Sequence, residues 1–323
     1  MSAGSREPSP DVMQAAADKP PPTTGRPTYL IVAHADPVHF HRLAGRLLNT
    51  GNVVAHINAR SDIAPFLRPD VVFLEKRLPV SWGGYNLYEA ITGLARTALR
   101  LFPDSSHFAC LSGADYPIPP DRELAAFFRR NAGHEFIRFY NINTPPHTFR
   151  DHIALYRFCD FFGAWNRSGR LGRALKCARI TTELLVAAFA RKKWPARLAD
   201  VAPCAGSTWW ALTPACCRHI LETIDADPFW TTWWRTTFAP DEKIFHTLVA
   251  HSDFLAASDG FDPARRYIHE NANLHYLTPD LSRVFTLGDL GEVLDSGKIF
   301  IRKVTTARST PLLDALDKRN GTA

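Results

Sequence analysis

The chain has 323 residues, of which 46% are hydrophobic and 22% are charged, as in a folded globular protein. This composition excludes a disordered, a collagen-like or a small disulfide-stapled chain. At about 150 residues per domain, the length fits two domains or one α/β domain with an insertion. The 38 basic residues exceed the 32 acidic ones by too little to predict nucleic-acid binding, although the excess suits an anionic ligand.

The sequence shows no pattern typical of a membrane span, a secretory signal or a cysteine-based site. The longest apolar run, residues 184–190, has seven residues, whereas a membrane-spanning helix needs about 18. The N-terminus lacks a basic segment followed by an apolar one, and the six cysteines form no CxxC pair. These features predict a cytoplasmic protein with reduced thiols and without a zinc site or a disulfide framework.

In chain order, residues 1–26 come first, and their Pro, Ala, Ser and Asp content without hydrophobic periodicity predicts a disordered tail. Short apolar runs then alternate with helical patterns, and Asp36-Pro37 marks the start of the first helix. Strands are predicted at residues 29–33, 53–57, 71–74, 108–111, 135–139, 208–212 and 299–301. Short β-branched runs separated by helices indicate a buried, mostly parallel sheet.

Residues 150–200 interrupt this alternation with helices that are rich in Arg and Lys. The sequence therefore predicts an α/β fold, in which a mostly parallel central sheet is flanked by helices and carries a helical insertion. Residues 27–307 form the predicted single domain, and the polar residues 308–323 a C-terminal tail that frays. A solvated face and a peripheral contact with an anionic inner-membrane surface both fit the basic helices.

Ligands of open α/β sheets bind beyond the carboxyl ends of the strands. In this sequence those ends carry His34, Asn58, Trp82-Gly83 and residues 112–115, the last of which is Asp115. The arrangement predicts a nucleotide-type site and leaves its chemistry open.

Six short sequence blocks extend from these strand ends through most of the chain, between about residues 28 and 305. The blocks are HINARS at 56–61, VSWG at 80–83, LSGADYPI at 111–118, GSTWWAL at 206–212, PDE at 240–242, and GDL at 288–290 followed by IFIRK at 299–303. In this order they resemble the core-2/I-branching enzyme family of glycosyltransferases, which also includes peptide O-xylosyltransferases. The chain is identified as a bacterial-type member, because it shows no membrane span whereas the animal relatives are Golgi type II proteins.

The resemblance implies a GT-A-type nucleotide-sugar-binding fold and an inverting, metal-independent transfer from a UDP-sugar. The donor would carry GlcNAc or xylose, and the acceptor would be a hydroxyl of a glycan or of a related surface-polysaccharide or lipid-linked precursor. Asn58 stands where the family has an acid, and an amide can exchange hydrogen bonds but carries no charge. The alternative is a non-catalytic glycan- or nucleotide-binding homologue, and neither the acceptor nor the oligomeric state follows from the sequence.

Glu242 is the predicted general base for this transfer. Pro240 suits a first helical turn, so Glu242 would lie near a helix N-terminus, whose dipole favours the ionised carboxylate that accepts a proton. Acids are common in first turns for helix stability alone, and the match to the family's PDE block is what selects Glu242. Asp241 is excluded because neighbouring helix positions point about 100° apart.

Fixed cations take the place of a metal ion in this prediction. Asp225-Ala226-Asp227 follows a predicted helix and is interpreted as a helix end, and residues 112–115 offer one acid, which makes a poor Mg²⁺ site. The family match selects Lys303 as a diphosphate ligand. Arg302 and Arg283 are further candidates for phosphate contacts. The simpler alternative is that these cations are solvated surface charges.

Four further residues are candidates for the nucleoside or sugar contacts. His34 fits the nucleoside pocket and Asp115 the donor sugar, although a plain loop histidine and a turn-capping acid fit the same positions. Trp82 and Trp209 offer flat apolar faces to pyranose rings, or they pack in the core. Trp210 is expected to face away from Trp209, because adjacent strand residues point to opposite sides of a sheet.

Overall fold

Two sheets flanked by helices form the fold in the computed structural model, which describes residues 25–143, 150–162, 169–262, 270 and 272–320. In chain order the strands are β1 (Thr28–Ala33), β2 (Asn52–Ile57), β3 (Val72–Phe73), β4 (Phe108–Ser112), β5 (Asp115–Pro117), β6 (Glu135–Asn141), β7 (Cys204–Gly206), β8 (Ala211–Leu212), β9 (Ser258–Phe261), β10 (His275–Tyr276) and β11 (Phe300–Arg302). The α-helices are α1 (Pro37–Leu48), α2 (Tyr85–Leu101), α3 (Asp121–Arg130), α4 (Arg150–Ala154), α5 (Cys159–Phe162), α6 (Gly169–Phe189), α7 (Arg197–Asp200), α8 (Pro214–Ala226), α9 (Phe229–Thr232), α10 (Ile244–Ala250), α11 (Leu290–Asp295) and α12 (Thr306–Lys318).

The larger sheet has eight strands in the order β3-β2-β1-β4-β8-β6-β7, with β9 paired to β6. β1 runs parallel to β2 and β4, and β2 runs parallel to β3, whereas β8 and β7 are antiparallel to their neighbours. The prediction of an α/β fold with a mostly parallel central sheet flanked by helices is confirmed. This architecture is consistent with the GT-A type that the family resemblance implies.

Strand β1 is buried on both of its faces. Leu30 packs in the hydrophobic core that contains the inner face of α2, whereas Tyr29 and Ile31 pack in a second core with the inner face of α1. Alternate residues of a strand point to opposite sides, so a continuous apolar run is what a sheet covered by helices on both faces requires. Helix α1 begins as predicted, with Pro37 in its first turn and the Asp36 carboxylate accepting from the His39 N–H at 3.1 Å.

The smaller sheet joins three segments that are far apart in the chain. β10 runs parallel to β11, and β11 runs antiparallel to β5, so that Arg302 pairs with Asp115. β5 follows β4 almost directly, because only residues 113 and 114 separate them. The small sheet therefore brings Arg302 and Lys303 to the carboxyl end of the parallel strands, where open α/β sheets bind ligands.

The predicted strand at residues 208–212 is shorter than expected. Only Ala211–Leu212 forms a strand, and Cys204–Gly206 makes a separate one, β7. The chain turns between them, with the Trp210 N–H donating to the Thr208 carbonyl at 3.1 Å. Trp210 is buried against the Phe245 ring, whereas Trp209 is only partly buried, and neither residue lies in a strand, so the alternation on which their opposite orientation was predicted is absent.

The predicted fraying of the chain from residue 308 is wrong, because α12 is part of the core. Leu312, Leu313 and Leu316 are buried, and Asp317 accepts hydrogen bonds from Arg42 and Tyr116. Leucines at helical spacing let a polar segment bury one face, which outweighs its polar composition. The single domain predicted for residues 27–307 stays a prediction.

Residues 1–24 of the predicted N-terminal tail lie outside the part of the chain that the structure describes. Arg26, the last residue of that tail, donates hydrogen bonds to the carbonyls of Leu48, Asn49 and Thr50. The predicted insertion contains the helices α4 to α7, with non-helical connections at residues 155–158 and 190–196. In the part of the chain that the structure describes, we find no helix with both the length and the apolar character needed to cross a bilayer.

We expect Leu312→Ala to lower the free energy of unfolding by about 2–5 kcal/mol, the usual cost of removing a fully buried leucine side chain. The measurement is urea unfolding at equilibrium. Leu287→Ala is the matched control, because Leu287 is 49% exposed and its truncation should change stability by less than about 0.5 kcal/mol. Equal, small effects for both variants would show that α12 does not contribute to the core.

Candidate functional site

The centre of the site is the buried carboxylate of Asp115, which has four protein donors around its two oxygens. Oδ2 accepts from the Ser112 N–H at 2.7 Å and lies 3.1 Å from His275 Nε2. Oδ1 accepts from the Ser112 hydroxyl at 2.6 Å and from Arg302 Nη1 at 2.9 Å. Burial alone would raise the pKa of Asp115, but the Arg302 charge, His275 and the Ser112 hydrogen bond together lower it, so the group stays ionised.

Arg302 is fixed between this carboxylate and an aromatic ring. Its guanidinium carbon lies 4.4 Å from the centre of the Trp209 ring, close enough for a cation–π interaction, while Nη1 donates to Asp115. The Trp209 ring in turn lies 5.8 Å from that of His275. A planar cation held in this way loses little conformational freedom when it binds an anion.

Lys303 adds a second positive charge beside Arg302, and His34 lies near both cations. Burial and the neighbouring Arg302 charge lower the pKa of Lys303, whereas Asp115 and Asp280 raise it. Partial burial, together with the charges of Arg302 and Lys303, lowers the pKa of His34. The imidazole is therefore neutral near pH 7 and can exchange hydrogen bonds beside two cations.

Glu242 lies in a 3₁₀ turn, Pro240–Glu242, and the α-helix that follows starts only at Ile244. The turn is connected to the centre of the site, since the Thr208 hydroxyl donates to Asp241 Oδ2 at 2.7 Å and Trp209 is the next residue. The Glu242 side chain is 19% exposed, and its Oε2 lies 3.9 Å from Lys243 Nζ. The glutamate thus lies at the surface of the site with a buried lysine behind it.

The expectation that a helix dipole favours ionised Glu242 is wrong. Burial raises the pKa of Glu242 to about 8, because the attraction of Lys243 is offset by the desolvation of the carboxyl and by the charge of Asp241. The 3₁₀ turn and the separate start of α10 keep Glu242 out of a regular first helical turn, where the dipole effect is strongest.

Trp82 lies beside the Glu242 turn and exposes 56% of its surface. Its ring meets the edge of Phe238 at 5.1 Å, and the carbonyl of the next residue, Gly83, accepts from the Ala239 N–H at 2.8 Å. Gly83 has a φ of +71°, and a Cβ there would lie 2.4 Å from the Phe238 ring, so only glycine fits. The close backbone approach places an accessible indole next to the turn that carries Glu242.

The side chains of two predicted site residues, Asn58 and Arg283, are already bound by other groups of the protein. Asn58 is 3% exposed, and its amide donates to the Val80 carbonyl at 2.8 Å and accepts from the Arg60 N–H at 3.0 Å. Arg283 pairs with Asp289 at 2.7 Å and with Glu292 at 2.9 Å. Asn58 shapes the loop after β2 and is outside the Asp115 cluster. Arg283 lies beside Lys303, because its carbonyl accepts from the Lys303 N–H at 3.4 Å, but its guanidinium is bound in a surface ion-pair cluster.

The Asp-Ala-Asp sequence at residues 225–227 ends a helix, as predicted. Asp225 pairs with Arg96 at 2.7 Å and Asp227 with Arg197 at 2.6 Å. Over the described ranges, no group of three or more His, Cys, Asp or Glu side chains is arranged to hold a metal ion.

Sequence reasoning missed three residues that build the site: His275, Thr208 and Lys243. His275 is in a two-residue strand, which is too short to give a periodic signal. Thr208 lies inside the GSTWWAL block, but a strand was predicted there, and a strand position gives no reason to expect a hydrogen bond to Asp241. Lys243 directly follows Glu242, and its burial could not be inferred because lysines are almost always exposed.

No protein-family model matches the chain. It is similar to a protein described as a xylosyltransferase from Ciona intestinalis, with 23% identity over 256 residues. The similarity covers 73% of this chain and 27% of the relative, so the chain spans about a quarter of that protein's length. At this low identity, the match supports a relationship to glycosyltransferases in general.

We expect Asp115→Asn to lower the free energy of unfolding at pH 7 by about 3–5 kcal/mol, because it leaves Arg302 without its buried partner. The control is Arg96→Ala, which breaks an exposed pair with Asp225 and should cost less than about 1 kcal/mol. Folding lowers the pKa of Asp115. The ionised carboxylate therefore makes its full contribution to the free energy of unfolding above the pKa that Asp115 has in the unfolded chain, and this contribution is lost as the pH falls below about 4. Urea unfolding between pH 3 and 7 should therefore show a weaker acid dependence for Asp115→Asn, and an unchanged dependence would contradict the ion pair's role.

Proposed function

We propose that this protein is an inverting glycosyltransferase that moves a sugar, GlcNAc or xylose, from a UDP-sugar to a hydroxyl of a glycan or related acceptor. The observation that carries the proposal is the adjacency of two parts: the fixed cations at Arg302-Lys303 and the Glu242 turn, joined through Trp209, Thr208 and Asp241. The distant similarity to a xylosyltransferase supports the same class of reaction. A cytoplasmic location stays a prediction.

The proposed reaction needs a base on one side of the sugar and positive charge on the other. The acceptor oxygen bonds to the anomeric carbon as the bond from that carbon to the diphosphate breaks, and the hydroxyl proton passes to the base. The departing diphosphate gains negative charge, which fixed cations stabilise. Inversion follows because the acceptor attacks from the face opposite the leaving group.

Glu242 is the proposed base. Its pKa of about 8 lies close to neutral pH, which is where a general base combines a useful deprotonated fraction with a strong pull on the proton. Lys243, at 3.9 Å, stabilises the ionised form, and the lysine is itself held by a 3.0 Å hydrogen bond to the Ala239 carbonyl. Exposed Trp82 next to this turn offers an apolar face for the acceptor sugar.

Lys303 and Arg302 are the proposed ligands of the diphosphate. Arg302 is positioned by Asp115 and Trp209, and Lys303 follows it in the chain. We propose that these cations replace a divalent ion. In support, both oxygens of Asp115, the one acid of the turn after β4, already bind protein donors, one of them an arginine.

The remaining predicted contacts follow from this arrangement. We propose that His34, neutral beside Arg302 and Lys303, contacts the nucleoside, and that Trp209 contacts the donor sugar at the edge of its ring that Arg302 leaves open. Asp115 then acts as a positioning residue for Arg302 and does not touch the sugar. Asn58 and Arg283 have no part in the proposed contacts, because their polar groups are already bound.

We expect Glu242→Gln to lower the turnover of UDP-sugar and acceptor by roughly 10²–10⁴-fold, the usual contribution of a positioned base. The parent's kcat/KM should rise with pH and level off above about pH 8, where Glu242 is ionised, and the variant should lack this limb. Glu222→Gln on the exposed side of α8 is the matched control and should keep parental turnover. If Glu242→Gln stays within a few-fold of the parent, the base lies elsewhere, and if the parent shows no transfer at all, the non-catalytic binding homologue is favoured.

UDP should bind in excess EDTA, because the proposed diphosphate ligands are side chains. Lys303→Ala should weaken this binding roughly 10- to 150-fold, the equivalent of a lost charge-assisted contact of about 1.5–3 kcal/mol. Calorimetry on the parent, on Lys303→Ala and on the exposed control Lys76→Ala tests this, and the control should match the parent. Binding that vanishes in EDTA and returns with Mn²⁺ would overturn metal independence, and unchanged affinity in Lys303→Ala would remove Lys303 from the site.

A further inference from the structure

Helix α6 turns its large apolar side chains outward. Leu184 is 66% exposed, Leu185 57% and Phe189 89%, and Leu171 and Ile180 are exposed as well. A surface helix of a globular protein normally packs its apolar stripe against the core. Phe161 in the neighbouring helix α5 is 77% exposed and adds a further apolar group. Several large apolar side chains exposed on one short stretch of a protein mark a surface that binds something else.

The inward side of α6 is held by charges. Arg179 and Glu183 are each 5% exposed and form an ion pair at 2.6 Å. Glu183 also pairs with Arg157 at 3.2 Å and accepts from the Phe158 N–H at 2.9 Å. The helix is therefore attached in part through a buried carboxylate, and Leu171, Leu184 and Leu185 stay exposed.

The charge around the outward face is almost entirely positive. Residues 169–197 contain eight Lys or Arg and one acid, the buried Glu183. Of the eight, Arg179 and Lys192 are buried, and Arg191 and Arg197 pair with Asp151 and Asp227. Arg170, Arg173 and Lys176 are exposed on α6, and Lys193 is exposed just beyond its end. A helix with exposed Leu and Phe bordered by Lys and Arg is typical of segments that lie in a membrane interface. The excess of basic groups selects anionic lipid, since each one near such a surface is attracted to it.

We propose that the outward face of α6, with Leu171, Leu184, Leu185 and Phe189, docks on an anionic lipid surface. The apolar side chains enter the boundary between headgroups and acyl chains, and the flanking arginines and lysines contact lipid phosphates. This docking is independent of sugar transfer, so either proposal can fail without the other.

A cavity of about 200 Å³ lies beside α5 and the inward side of α6. Arg157, which binds Glu183 of α6, lines this cavity together with Asp160, Phe161 and Gly84. Gly84 is two residues from Trp82.

Cosedimentation of the full-length protein with lipid vesicles tests the docking. The parent should bind vesicles that contain phosphatidylglycerol and not those of pure phosphatidylcholine, and added salt should release it. Leu185→Glu combined with Phe189→Glu should lower the partition coefficient at least tenfold. Arg173→Ala should lower it about fivefold. Val38→Glu on α1 is the matched control, because Val38 is 67% exposed on another surface, and it should bind like the parent.

A second readout uses the protein's own cysteine on this helix. Cys177 in α6 is exposed, whereas the other five cysteines are buried, so a polarity-sensitive fluorophore attached to it should shift to shorter wavelength when anionic vesicles are added. Circular dichroism and thermal unfolding show whether each variant is folded, and these outward-facing substitutions should leave both unchanged.

Three outcomes would overturn the proposal. The parent could fail to bind anionic vesicles, the double variant could bind as well as the parent, or Val38→Glu could reduce binding as much as the double variant. A second copy of the chain could cover this face instead of lipid, and light scattering tests this. A parental dimer that becomes monomeric in Leu185→Glu/Phe189→Glu would show that a second copy covers the face.

Discussion

The Asp115 carboxylate is the interaction on which the site depends. An ionised carboxyl without contact to water costs several kcal/mol unless donors compensate it. The donors come from three separate segments: Ser112 at the end of β4, His275 in β10 and Arg302 in β11. A single buried charge thus ties the small sheet to the parallel strands and fixes the guanidinium of Arg302 before any ligand arrives, so that anion binding needs little reorganisation.

The parallel half of the fold could be predicted from the sequence because its strands are continuous apolar runs. The same periodicity located the strand ends, and hence the surroundings of His34 and Asp115. Pairing between β5, β10 and β11 could not be predicted, because strands of two or three residues carry no periodic signal. The ionisation of Glu242 also escaped prediction, since its pKa depends on burial and on two charged neighbours that are visible only in three dimensions.

Helices α6 and α12 show why an apolar pattern alone does not determine which side of a helix is buried. In α12 the leucines share one face that packs inside, with Leu312, Leu313 and Leu316 buried. In α6 most of the large apolar side chains are exposed, and a carboxylate–guanidinium pair faces in. The difference comes from partners elsewhere in the chain, Arg42 and Tyr116 for α12 and Arg157 for α6. A periodicity argument identifies the faces of a helix, and only tertiary contacts assign them.

The separation of Asp115 from its donors has a consequence for synthesis on the ribosome. A nascent chain that has emerged only as far as residue 262 can form the parallel strands, but it lacks both His275 and Arg302. Its Asp115 must then stay hydrated or take up a proton, because burial without those donors favours the neutral carboxyl. The Asp115 cluster is therefore completed only when Arg302 has left the exit tunnel, and until then the carboxylate lacks two of its four protein donors.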